Sequence, residues 1–161
     1  MATTMYTNPK STLRPDVDSH PVYELRATGL SGGEMELELW QLPSPSTPRL
    51  KQAELTASLR GRQLRLIEAR VLRRLKQAGI SLNGIKRDQT SAFKMEEDLA
   101  LNLALLFRVL APMRSIDNIR AVSDGIDKMS REEAGYWLGM AVHRVYPRRV
   151  LAALRVLLTT P

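Results

Sequence analysis

The sequence predicts an α+β fold, with an N-terminal antiparallel β-hairpin or three-stranded meander followed by a bundle of about five α-helices. Apolar and polar residues alternate in residues 22–59, as in strands with one buried face, whereas residues 62–161 carry apolar residues at helical spacing. The chain of 161 residues has the length of one domain. We therefore expect a single α+β domain over residues 22–161. Residues 1–21 are polar, contain prolines and show no period, which predicts a flexible arm.

Three strands are expected within residues 22–59. Apolar residues alternate with polar or charged ones in residues 23–28 and again in residues 34–39, on either side of Gly29–Gly33. This pattern predicts a two-stranded hairpin with one solvent-facing side. The alternation returns in residues 51–59, which we interpret as a third strand. A helix is the alternative there, because glutamate, alanine and lysine also accept helical structure.

Five helices are expected after the sheet. The first of them is rich in arginine and ends before Gly79, a residue type that commonly follows helix C-termini. Ser130 and Glu133 form the S-R-E-E pattern of a capping box, and Pro147 suits the first turn of the last helix. The expected ranges are 63–78, 95–110, 116–124, 131–144 and 147–159.

The composition excludes several classes of site. The chain has no cysteine, which excludes disulfides, thiolate catalysis and zinc sites with sulfur ligands. Its two histidines, His20 and His143, cannot form a multi-histidine metal centre by themselves, and no glycine-rich phosphate loop of the Walker type is present. No apolar run approaches the roughly 18 residues of a membrane span, and the first residues lack a secretory signal. We expect a cytoplasmic protein with no cofactor and no membrane association.

The charge of the chain favours polyanionic partners. The formal net charge is +7 and the pI is near 10.1. Residues 60–76 hold seven cations against a single anion, Glu68. A solvated helix face normally mixes both signs, because like charges three or four residues apart, such as Arg70 with Arg73 or Arg74, oppose helix stability. We interpret the segment as a polyanion-binding face, with an acidic protein partner or a merely solvated face as the alternatives.

Arginines also surround the predicted corner between the last two helices. Arg144, Arg148 and Arg149 flank Tyr146 there, and the free amides at the start of the last helix suit a phosphate. Helical spacing places the leucines of the last helix in the core, and its arginines, including Arg155, on outward-facing sides. Structural or solvated arginines are the alternative. Major-groove reading by a helix-turn-helix is disfavoured, because the last helix has few polar side chains near its start.

These patterns predict a non-enzymatic nucleic-acid-binding protein, an accessory subunit of a larger bacterial complex, which holds an RNA or DNA backbone by charge and reads few bases. The expected contacts are Arg62, Arg65, Arg70, Arg73, Lys76, Arg144, Tyr146, Arg148, Arg149 and Arg155. A protein-interaction or scaffold subunit that binds an acidic partner is the alternative, with Trp40, Leu66 and Leu72 at its interface. A small metal-dependent nuclease using Asp124 and Asp127 is the third hypothesis, although an Asp-Gly turn explains these residues more simply.

Overall fold

A computed structural model describes residues 20–61, 67, 69–112, 129–140 and 147–159. The side chains of residues 147 and 148 fall outside this description. Two expectations also lie outside the described residues: the N-terminal arm apart from its last two residues, and the helix over residues 116–124.

Four antiparallel strands form one sheet. They are β1 (Val22–Gly29), β2 (Met35–Leu42), β3 (Glu54–Arg60) and β4 (Thr90–Met95). The strand order is β3-β2-β1-β4. The predicted hairpin of β1 and β2 is confirmed, and alternate residues of β1 are buried as its period-two pattern predicts. The third segment is a strand and not a helix, so the sheet contains the predicted meander.

The expectation for residues 90–95 is wrong. It predicts no strand there and begins a helix at Met95, whereas the structure has the six-residue strand β4. Met95 is the last residue of β4 and is buried, with Tyr23 of β1 as its cross-strand partner. The pairing joins segments far apart in the chain, so the local pattern of a short strand gives little sign of it.

Four helices are present among the described residues, against the five expected. They are α1 (Ala69–Gln77), α2 (Glu97–Leu110), α3 (Arg131–Gly139) and α4 (Pro147–Thr159). The Ser130 side chain accepts a hydrogen bond from the backbone N–H of Glu133 at 3.1 Å, which confirms the predicted cap of α3. α3 ends at Gly139, earlier than the expected end at residue 144.

The helices pack against one face of the sheet, called here the inner face. Leu25, Leu37 and Leu39 from this face are fully buried, and so is Phe107 of α2. α2 contacts β3 and α4, and α4 also contacts α1 and α3. α4 therefore lies at the centre of the helical layer. Two candidate binding surfaces are exposed to solvent. One is the opposite, outer face of the sheet, and the other is the far side of α1, which faces away from the core.

The loop after α1 is held against β1 at Gly29. A Cβ atom at Gly29 would lie 2.0 Å from the carbonyl oxygen of Lys86, so only glycine permits this approach. The Gly29 N–H donates to the Gln89 carbonyl at 2.9 Å, and the Asp88 N–H donates to the Gly29 carbonyl at 2.9 Å. These contacts fix a loop whose first residues form one wall of a surface cavity beside α1.

Candidate nucleic-acid interface

The far side of α1 carries three exposed cations, Arg70, Arg73 and Lys76, which we call the basic face. On the opposite side of the helix, Val71 and Leu75 are buried in the core. The nine residues of α1 include no carboxylate, so the helix itself supplies no anion to neutralise the basic face. The predicted separation of a core side from a basic side is present over this helix.

Arg73 and Lys76 line a surface cavity of about 280 Å³, called here the basic cavity. The loop after α1 adds a hydroxyl group from Ser81 and a side-chain amide from Asn83. Among the described residues, Ala69, Leu72, Ile80 and Leu82 also line it. Guanidinium, ammonium, hydroxyl and amide groups are the side-chain donors that bind phosphate oxygens. The cavity therefore combines two cations with two neutral donors on an apolar floor.

A second cavity of about 210 Å³ adjoins the basic cavity, because Leu72 and Leu82 line both. We call it the apolar cavity; its lining also includes Gly33, Met35 and Ile67. Glu34 brings a carboxylate to this cavity, and Gly61 lies beside it: a Cβ atom there would be 3.3 Å from Glu34 Oε1. Gly61 has a φ of 63°, which favours glycine. Glu34 thus lines the apolar cavity, whereas Arg73 and Lys76 line the basic cavity.

The outward position expected for Arg155 is wrong. The residue is only 7% exposed, because α4 is covered by α1, α2 and α3 and has little solvent-facing surface around this position. Ala152 and Ala153, which precede it, are buried in the contact with α3. Arg155 is therefore largely buried within the helical layer.

Arg149 is exposed, but its described contacts are with α3. Its Nη1 lies 4.0 Å from Glu133 Oε2, and its Cζ lies 5.4 Å from the ring centroid of Trp137. Trp137 in turn packs edge-to-face with Tyr136, with the ring centroids 5.2 Å apart. The structure gives Arg149 the role of joining α4 to α3. The other expected members of this group, Arg144 and Tyr146 and the side chain of Arg148, lie outside the described part of the chain.

The outer face of the sheet carries Trp40, as the alternation of β2 predicts. The Arg26 Cζ lies 4.6 Å from the Trp40 ring centroid, and the Arg26 Nε is 2.7 Å from Glu24 Oε1. The Trp40 Nε1 donates to Glu38 Oε1 at 3.4 Å. Leu55, which alternation would place on the inner face, also lies on the outer face and is 45% exposed. Carboxylates beside Trp40 make this surface unfavourable for a phosphate backbone.

Of the remaining expected site residues, the structure describes only Leu72. Leu72 is 39% exposed and lines both cavities. Arg62, Arg65 and Leu66, with the nuclease candidates Asp124 and Asp127, lie outside the described residues. Within the described ranges, no group of three or more histidine, aspartate or glutamate residues could hold a metal ion. None of the helices described is long and apolar enough to cross a membrane.

The sequence does not single out most of the cavity residues as site residues, among them Glu34, Ser81, Leu82 and Asn83. The dipeptide Asn83-Gly84 does signal a turn, and Gly84 has a φ of 78°. This signal predicts a turn after α1, but it does not predict the side of α1 beside which the loop lies. The contact of the loop with Gly29 decides this, and it is a tertiary contact.

Residues 23–160 match the family described as a domain of unknown function (DUF7680). No curated protein and no solved structure matches the chain significantly. The match covers all four strands and all four helices except Val22 at the start of β1.

Proposed function

This chain belongs to the DUF7680 family, and we propose that it is a non-enzymatic protein that binds the phosphate backbone of a nucleic acid. In this proposal it acts in the cytoplasm as an accessory subunit of a larger complex. The observation that carries the proposal is that Arg73 and Lys76 of the basic face line one cavity together with Ser81 and Asn83.

The energetics of the basic face support an anionic ligand. Arg73 and Lys76 lie three residues apart on α1 and repel each other, which costs a few tenths of a kcal/mol. A phosphate that lies between the cations attracts both of them, so it offsets their mutual repulsion. Binding of the backbone also releases counterions from the nucleic acid. The net charge of +7 adds a long-range attraction for the same ligand. Few polar side chains are available to read base edges, so we expect weak sequence preference.

The test is fluorescence anisotropy of the full, nuclease-treated chain with labelled single- and double-stranded DNA and RNA over a range of salt concentrations. The double variant Arg73→Gln/Lys76→Gln should weaken binding at least about tenfold and reduce the slope of log K against log salt by roughly 1.5 to 2. The matched control is Arg49→Gln/Lys51→Gln, which removes two exposed cations from the loop between β2 and β3. That loop follows the end of β2 opposite to Met35, which lines the apolar cavity.

Absence of binding at low salt would overturn the proposal. An equal loss of affinity in the control variant would also overturn the proposal. It would show that affinity depends on the total charge of the protein and not on one defined surface. The assay uses the free chain, so partner subunits do not affect the comparison.

A second candidate function is a scaffold subunit that binds a protein partner. The observation in its favour is the exposed Leu55 beside the half-buried Trp40 on the outer face of the sheet. The basic face would then meet an acidic region of the partner. A partner whose binding is lost in Leu55→Ser and retained in Arg73→Gln/Lys76→Gln would support this function over nucleic-acid binding.

A further inference from the structure

We propose that the nucleic acid is single-stranded and that one unstacked base enters the apolar cavity while Arg73 and Lys76 hold the adjacent phosphate. This inference rests on the proposed function and adds the form of the ligand and its orientation. It comes from the two adjoining cavities, which differ in chemistry and share a wall.

The two cavities match the two ends of a nucleotide. The basic cavity offers cations and neutral donors, whereas the apolar cavity offers Met35 and Ile67 beside the shared residues Leu72 and Leu82. A nucleotide joins a charged phosphate to a flat base, and enzymes that take up extruded bases hold them between aromatic or apolar side chains. Each cavity by itself is smaller than the usual range for small-molecule sites, of about 300 to 1,000 Å³. A ligand that spans both uses the space better.

Leu72 connects the two halves of the site. It lies one helical turn before Lys76 and lines the basic cavity together with Arg73 and Lys76. Leu72 is 39% exposed although it lies among cations, and covering its apolar surface is favourable. A base that covers Leu72 keeps its own phosphate within reach of the two cations.

Glu34 determines which end of the nucleotide enters the apolar cavity. Its carboxylate repels a phosphate and accepts hydrogen bonds from an amino group, such as the N4 amino group of cytosine. Thymine presents a carbonyl oxygen at the equivalent position and lacks this donor. We therefore expect cytosine to be preferred over thymine at this position of the strand.

The test repeats the fluorescence anisotropy measurement with three strands that carry equal numbers of phosphates. They are oligodeoxycytidine, oligodeoxythymidine and an abasic strand. The wild-type protein should bind oligodeoxycytidine roughly tenfold more tightly than the abasic strand, because a base that covers the exposed surface of Leu72 removes apolar area from water. Leu72→Ser should remove most of this difference. Glu34→Gln should reduce the preference for cytosine over thymine.

The matched control is Leu55→Ser, which removes an equally exposed leucine from the outer face of the sheet and should leave all three affinities unchanged. Leu72→Ala provides a second variant if Leu72→Ser unfolds, which thermal melting followed by circular dichroism will show.

Three results would overturn the inference. An abasic strand that binds as tightly as oligodeoxycytidine would exclude a base in the apolar cavity but leave the proposed function intact. A duplex that binds as tightly per phosphate would have the same meaning, because its bases are paired and stacked. A polyglutamate peptide that competes with oligodeoxycytidine at equal charge, and loses affinity in Leu72→Ser, would assign the site to an acidic protein. Failure of every nucleic acid to bind would instead reject the proposed function itself.

Discussion

Trp40 pairs with Leu55 across the sheet, on the outer face, because a β-bulge shifts the register between β2 and β3. Leu39 pairs with Ala57, and the next pair is Trp40 with Leu55, so Thr56 is the extra residue. The Arg108 Nη2 of α2 donates to the Thr56 carbonyl at 3.0 Å, which satisfies a backbone group that the bulge leaves unpaired in the ladder. The bulge therefore moves Leu55 from the inner face to the outer face.

This register predicts the effect of replacing Leu55. Leu55→Thr should change the free energy of unfolding by no more than about 0.5 kcal/mol, because the side chain is exposed and threonine suits a strand. Leu39→Ala, at a fully buried position, should cost about 2 to 5 kcal/mol. Urea denaturation of both variants checks the comparison. A loss above about 2 kcal/mol in Leu55→Thr would place Leu55 in the core and contradict the bulge.

Gly29 should tolerate no side chain. Gly29→Ala brings a Cβ atom into the carbonyl group of Lys86, so the loop must move, and we expect a loss of about 1 to 3 kcal/mol or more. Gly135→Ala is the control, because it lies within α3 with no atom near the added Cβ. That variant should be more stable by up to about 1 kcal/mol, since alanine favours helix over glycine. Equal behaviour of the two variants in thermal melting would contradict the close approach at Gly29.

The Ser130 cap should contribute to the stability of α3. Ser130→Ala removes the acceptor for the Glu133 N–H and should cost about 1 kcal/mol. Ser130→Asp keeps an acceptor and adds a negative charge at the helix N-terminus, so it should retain most of the stability. Chemical denaturation measures both changes, and a neutral Ser130→Ala would show that the cap does not stabilise the helix.

Arg155 and Arg73 should respond in opposite ways. Arg155→Gln should lower the free energy of unfolding by about 1 to 3 kcal/mol, because the side chain is buried, and should leave the affinity of the folded protein for nucleic acid unchanged. Arg73→Gln, on the basic face, should weaken binding with little effect on stability. Anisotropy and urea denaturation of the two variants test this. If Arg155→Gln is folded and stable but binds nucleic acid more weakly, Arg155 is part of the binding surface.

Tyr23 should make the protein sensitive to alkaline pH. Burial raises the pKa of the Tyr23 phenol above its ordinary value of 10.0, and the negative charge of Glu97 raises this pKa further. The ionised phenol is disfavoured in the folded state, so this stability is complete below about pH 10 and is lost as the pH rises towards the folded pKa. Tyr23→Phe should flatten that part of the stability curve. An unchanged decline above pH 10 in Tyr23→Phe would assign it to other groups.

Local patterns in the sequence determined the features that depend on neighbouring residues. The alternation in β1 and β2 specifies which side chains face the core, because successive residues of a strand point to opposite faces. The Ser130 cap and the proline that starts α4 act within one helical turn, and both are confirmed. The separation of Val71 and Leu75 from the basic face likewise follows from helical spacing alone.

Tertiary contacts decided the rest. The strand β4 exists because β1 pairs with it, and the outer position of Leu55 follows from a bulge that depends on both β2 and β3. Arg155 is buried in a helix that packs against α1, α2 and α3, and helical spacing within α4 does not show this packing. Arg73 and Lys76 line a cavity together with residues of the following loop, and contacts at Gly29 hold a later part of that loop against β1. Periodicity gives the faces of each element, whereas contacts between distant segments determine which of those faces meet and which remain exposed.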